Sequence, residues 1–170
     1  SSFIHQFTNA GNFTYHSTAA MTSVTGSVNV ASCTGNNLQT TGIDIMGGGD
    51  DITLNGVVVS GYGLGLAMEG GDLHMAAGTT IIGDSTAVEL TNVDVSTNGA
   101  VVAADGAYGV GMDVVSDNGR DLLDLTDLSV NAAIGVLADG HSEFRWNGGI
   151  AQGSTVLKTV NGASGTLENM

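Results

Sequence analysis

Aspartates carry most of the chemistry this chain could perform. Asp50, Asp51, Asp72, Asp94, Asp113 and Asp139 recur at glycine- and asparagine-rich corners and beside short apolar runs. Gathered around Ca2+, such carboxylates would hold an acidic polysaccharide while a nearby basic residue abstracted its proton. Paired, with one pKa raised, they would cleave a glycosidic bond. Interleaved with glycine they would hold calcium itself, and Gly47-Gly48-Gly49-Asp50-Asp51-Ile52-Thr53-Leu54 partly has that form. A calcium roll repeats its nonapeptide coil after coil, whereas this chain offers one faint echo, Gly70-Gly71-Asp72-Leu73. Asp50, Asp51 and Asp72 are the calcium candidates. The competing reading is an ordinary corner, where aspartate serves the turn.

Other reactive side chains give less. His141 in "ADGHSEFRW" is similar to the Gly-His-Gly of polygalacturonase-like enzymes. It lacks the second glycine, and the companion Asn-Thr-Asp and Arg-Ile-Lys motifs are missing. No catalytic residue is assigned, and no cofactor is expected beyond Ca2+. Cys33 is alone, which rules out an intrachain disulfide and gives a zinc cluster too few thiols. Asn12-Phe13-Thr14 fits an N-glycosylation acceptor. Thr40, Thr79, Thr80, Thr91 and Thr97 share no phase, so a flat ice-binding array is set aside. Phe3, Phe7, Phe13, Tyr15, Phe144 and Trp146 suit either a sugar platform or packing. In the packing reading, Phe3, Phe7 and Phe13 plug a first coil, while Trp146 stacks inside or against a neighbour.

Composition narrows the function classes. Three basic residues face seventeen acidic ones, a formal net charge of −14, so nucleic acid and anionic membranes are repelled. The surface suits high salt, divalent cations or plain solubility. Twenty-seven glycines and no proline, with many Thr, Ser, Asn and Val, describe short strands and tight turns. No stretch is long and apolar enough for a membrane span, and no secretion signal opens the chain.

The elements that would position these groups repeat. A small-apolar-x-apolar unit places its first apolar residue at Ile43, Leu66, Val88, Val110 and Val136, with looser copies near Met21 and Val156. The spacings are 22, 23, 22, 22, 26 and 20 residues. A second alternating piece follows, at Val28-Asn29-Val30, Ile52-Thr53-Leu54, Leu73-His74-Met75, Val93-Asp94-Val95 and Phe144-Arg145-Trp146. A third comes at Val57-Val58-Val59, Thr80-Ile81-Ile82, Ala100-Val101-Val102 and Leu128-Ser129-Val130. Period-two alternation marks strands with one buried face, and three strands in about 22 residues leave no room for a crossover helix.

The predicted fold is all-β: a single-stranded parallel β-helix of about seven coils of about 22 residues, with three short strands per coil. Residues 1–20 form an aromatic and polar N-terminal segment and 21–170 the β-helix. A β-sandwich or β-prism would also give closely spaced strands but not the 22-residue echo.

The stretches "GAYGVGMDVVSDNG" and "NAAIGVLADGHSEFRWNGG" resemble coils of right-handed parallel β-helices in autotransporter passenger domains of the pertactin type, within the pectin-lyase-like class. The resemblance covers roughly residues 42 to 155 in pattern. It implies a secreted or cell-surface β-helix and carries over no binding residue.

Neither terminus shows an amphipathic capping helix, and open solenoid ends template further pairing. Either the chain is a fragment of a longer passenger or its ends meet other copies; on the second reading the expected function is a non-enzymatic extracellular subunit that self-assembles into a surface filament or layer. Copies would join head to tail or by strand exchange through Phe3, Ile4, Phe7, Phe13 and Tyr15. The alternative is an adhesin or passenger-type module binding a glycan or host surface, and a polysaccharide lyase or hydrolase ranks below both.

Overall fold

In the computed structural model the described residues are 11–17 and 24–30, for the backbone alone, then 41–46, 51–117 and 121–170. They contain strands and turns and no helix. The strands are β1 (Gly11–Ser17), β2 (Val24–Val30), β3 (Thr41–Met46), β4 (Asp51–Leu54), β5 (Val58–Met75), β6 (Thr80–Asn98) and β7 (Val101–Ala104). They continue as β8 (Val110–Ser116), β9 (Leu122–Asn131), β10 (Ile134–Gly140), β11 (Glu143–Gln152), β12 (Thr155–Thr159) and β13 (Ser164–Glu168).

From Thr41 onward every pairing between neighbouring coils is parallel, and the chain is a β-solenoid of about six turns. On the first side β3, the middle of β5, the middle of β6, β8, β10 and β12 stack in that order. On the second side β4 and the ends of β5 and β6 are followed by the starts of β9 and β11, then β13. The third side joins the starts of β5 and β6, then β7 and the ends of β9 and β11. Such long strands as β5 and β6 simply run around corners.

The expected seventh coil is absent from the parallel stack. β1 and β2 pair antiparallel, and β2 meets β3 antiparallel at Val28↔Ile45 and Asn29↔Asp44. Val28-Asn29-Val30 is therefore a strand, as expected, but not a parallel rung. Met21 lies outside the described residues.

The core is a set of inward columns. Ile43, Leu66, Val88 and Val136 occupy one, as the repeat predicts, and the last three are fully buried. Val110 does not belong to it: it lies opposite Thr86 and Ile134, and Met112 stands between Val88 and Val136. A longer corner explains the slip. Three positions separate Gly83 from Thr86, whereas six separate their partners Ala104 and Val110. Likewise Leu157, not Val156, lies over Val136.

Two further alignments shift for the same reason, that corners vary in length. Val95 and Thr97 take the second-side places beside Leu73 and Met75, which leaves Val93 opposite Gly71. Leu123 and Leu125 continue that column into Phe144 and Trp146. On the third side, Thr79-Thr80-Ile81 matches Val57-Val58-Val59, one residue earlier than expected. Thr79 is buried at the corner, and its hydroxyl donates to the Leu54 carbonyl at 3.0 Å.

The glycines before the column positions Ile43, Leu66, Met112 and Val136 are needed for space. A Cβ on Gly65 would lie 2.5 Å from Cγ2 of Ile81 and 2.6 Å from the Ala87 carbonyl oxygen. On Gly111 it would meet the Gly135 oxygen and Cγ1 of Val130, each at 2.6 Å. These sites bring first-side backbone against third-side core atoms. The corner between the second and third sides has a different demand: Gly56, Gly78, Gly99 and Gly148 have positive φ, and Asp127 holds φ 50° in the same place.

Candidate functional site

Stacking turns a sequence period into surface columns, and the three sides differ in what they display. On the first side the outward column runs Asp44, Ala67, Glu89, Asp113, Leu137, Lys158. Beside it runs Met46, Glu69, Thr91, Val115, Asp139. Neighbouring strands are about 4.8 Å apart, so Glu89 and Asp113 are adjacent carboxylates. Burial pushes the Asp113 carboxyl above its ordinary value, and the charges of Glu89 and Asp139 add to the effect. A shallow depression lined by Asp44, Met46, Ala67, Glu69, Glu89 and Thr91 adjoins the pair.

Two carboxylates at short separation, one of them reluctant to ionise, are the raw material of glycoside hydrolysis. Here they stand on an open sheet face, with Asp113 partly buried and Glu89 exposed to water. The sequence singled out Asp113 and Asp139 but missed Glu89, Glu69 and Asp44. Their signal was the coil register, since Glu89 sits one place after the column residue Val88.

The second side gathers another part of the candidate set. Asp51, Asp72 and Asp94 stack in register on successive coils. Asp50 lies outside the described residues. His74, two places along from Asp72, bridges three coils: its Nε2 is 3.3 Å from Oδ1 of Asp51, and its Nδ1 is 2.5 Å from Oγ of Ser96. Sequence reasoning did not single out His74 or Ser96, because nothing local joins residues 51, 74 and 96.

An Asp–His–Ser chain can relay a proton. Acyl transfer also needs paired donors aimed at a developing oxyanion. Around His74 the backbone is committed to the parallel ladders of β4, β5 and β6. The three side chains link exposed positions on three successive coils. Among the described residues no three His, Cys, Asp or Glu side chains are grouped to hold a metal ion.

The third side carries no charge on its strands. Val58, Thr80, Val101, Ser129 and Ile150 form its outward column, with Val58 and Ile150 well exposed. Ice-array regularity is missing here too, because one threonine shares the column with three aliphatic residues.

The remaining candidates are placed as follows. His141 is exposed on the corner between β10 and β11. Phe144 and Trp146 are buried in the second-side column, so of the two readings the structure supports packing and removes both from any sugar platform. Asn12, Phe13 and Tyr15 lie in β1, opposite Asn29, Val28 and Gly26. Phe3, Ile4, Phe7 and Cys33 are outside the described residues.

Asp121 escaped the sequence reading altogether. It is buried at the start of the second side, and its Oδ2 has no hydrogen-bond partner. Burial raises its pKa; Asp94 and Asp117 raise it further, and a hydrogen bond from Ser116 works the other way.

No protein-family model, curated protein or solved structure matches the chain. The β-solenoid architecture thus rests on strand register, and the passenger-type resemblance on sequence pattern.

Proposed function

We propose that this protein is a non-enzymatic extracellular structural subunit of the passenger-like β-helix type, joined to further copies through its open coil edge. What supports the reading is the uncapped parallel stack, whose final described coil keeps the same strand form as the coils before it. Among the described residues β12 pairs with β10 alone and β13 with β11 alone. Neither has a second partner strand among the described residues, and Val156 and Leu167 stand exposed beside them. Contact between unlike edges does not close on itself and propagates as a fibre. Acidic first and second sides would keep such fibres apart.

Negative-stain electron microscopy and light scattering across a concentration series test this. Filaments or concentration-dependent growth are expected, reduced by Leu167→Lys. A monodisperse monomer at every concentration overturns the reading. A second reading, a passenger-type adhesin, draws on the uncharged third side, which could lie against a neutral glycan. Glycan-array binding lost in Val58→Asp and Ile150→Asp would favour it over assembly.

A further inference from the structure

Charge divides the three sides. Aspartate or glutamate stands outward on most coils of the first and second sides, whereas the described third-side strands carry neither. With a formal net charge of −14, two copies of the chain repel each other through the acidic sides. Among the described residues the third side alone lets a second copy approach without setting strand carboxylates face to face.

That side is also complementary to itself. Its outward column runs Val58, Thr80, Val101, Ser129, Ile150. Val58 is 70% exposed, Val101 38% and Ile150 62%, while Thr80 and Ser129 between them are half-buried. Aliphatic and hydroxyl rungs thus alternate at about 4.8 Å. Laid in register on a copy, aliphatic meets aliphatic, and hydroxyl meets a hydroxyl that can both donate and accept. Corner charges select the direction. Asp84 and Asp105 lie on the corner leading to the first side, and Asp127 on the corner arriving from the second. With the two rods parallel, each corner meets the opposite corner of the copy on the same rung. Asp84 then faces Gly78, Asp105 faces Gly99 and Asp127 faces Ala132, all uncharged. With the rods opposed, Asp105 would stand against the copy's Asp105.

We propose that the third side is a docking face for a second copy of this chain, lying parallel and in register about a two-fold axis along the rods. The described column spans about 19 Å by a strand width of about four residues, on the order of 250 Å2 per copy. Stable complexes bury about 800 Å2 per partner, so two single chains pair weakly and in a concentration-dependent way. Pairing does not require coil-edge growth, and rods joined through their coil edges would multiply the contact.

Sedimentation velocity of the full chain, wild type and Leu167→Lys, tests this across a concentration series at about 0.05 and about 0.5 M NaCl. A monomer–dimer equilibrium is expected, tighter at high salt, where the repulsion between acidic copies is screened. End-to-end growth lost in Leu167→Lys with the dimer kept would separate the two contacts. Val101→Asp, which sets two carboxylates face to face, should weaken the dimer by about tenfold or more with the β signal in circular dichroism retained. Should that variant fail to fold, Ile150→Asp decides. Direction is read from single thiols in a Cys33→Ser chain joined by a short bis-maleimide. Val58→Cys, Val101→Cys and Ile150→Cys should each cross-link to their own kind. Cross-linking of Val58→Cys only when mixed with Ile150→Cys would mean opposed rods and overturn the arrangement. A monomer at every concentration and salt, a dimer that salt loosens, or one indifferent to both aspartate variants overturns the proposal. So does a chain that stays monomeric while its third side binds a neutral glycan.

Discussion

The middle coils and the last coil contain the same kind of strand yet have opposite surroundings. Leu66, Val88, Met112 and Val136 are completely buried, whereas Leu157 in the same column is only half-buried and Leu167 is 49% exposed. Nothing in these leucines differs. A solenoid residue is buried by the coils above and below it, and the final described coil has a described neighbour on one side. Burial here belongs to the stack more than to the residue.

That contrast sets the scale of the expected mutational effects. Trp146→Ala removes a fully enclosed indole, and a loss of about 3–5 kcal/mol in urea unfolding is expected. Leu167→Ala should cost under about 1 kcal/mol, because the methyl groups it removes already touch water. Equal losses would mean that the last coil is covered in solution.

A smaller effect separates crowded glycines from open ones. Gly65→Ala should cost about 1–3 kcal/mol, since its Cβ would strike Ile81 and the Ala87 carbonyl. Gly56→Ala meets no atom within 4 Å but must hold φ +67°, a strain of about 1–2 kcal/mol. Thermal midpoints of the two variants check whether space outweighs conformation. Ala87 shows that one methyl group fits where the neighbouring coil leaves room.

The smallest expected effect concerns charge. Asp113 and Asp121 both have carboxyls raised by burial, so the folded chain binds their protons more tightly than the unfolded chain does. Their contribution is fully present below the ordinary carboxyl value of 3.8 and is lost as pH rises through the raised folded values. Asp121→Asn should therefore flatten the pH dependence above that value in denaturant titrations. An unchanged slope would assign the dependence to other groups.

Much of the fold was legible because period two and period 22 are both written in side-chain polarity. Ile43, Leu66, Val88 and Val136 could be placed in one column before any coordinates, and Gly65 could be assigned a crowded corner. Register was harder. "YGVGMDVV" offers Val110 and Met112 at the same parity, and only the corner from Asp105 to Gly109 decides between them. The acidic columns were half legible: Asp51, Asp72 and Asp94 were named as separate corner residues and proved to be stacked. His74 with Ser96, and Asp121 with its bare oxygen, were not legible, because their meaning depends on what a coil one turn away puts beside them.

The sequence by itself determined a proline-free, acidic, all-β chain with a coil repeat, since those properties follow from composition and local alternation. Only the tertiary structure decided which coil residues share a column, where antiparallel pairing gives way to parallel, and which carboxylate is shut away from water. Hydrogen bonding between coils selects one register among several of equal local polarity. Desolvation is set by the atoms of neighbouring turns, which no single stretch of chain contains.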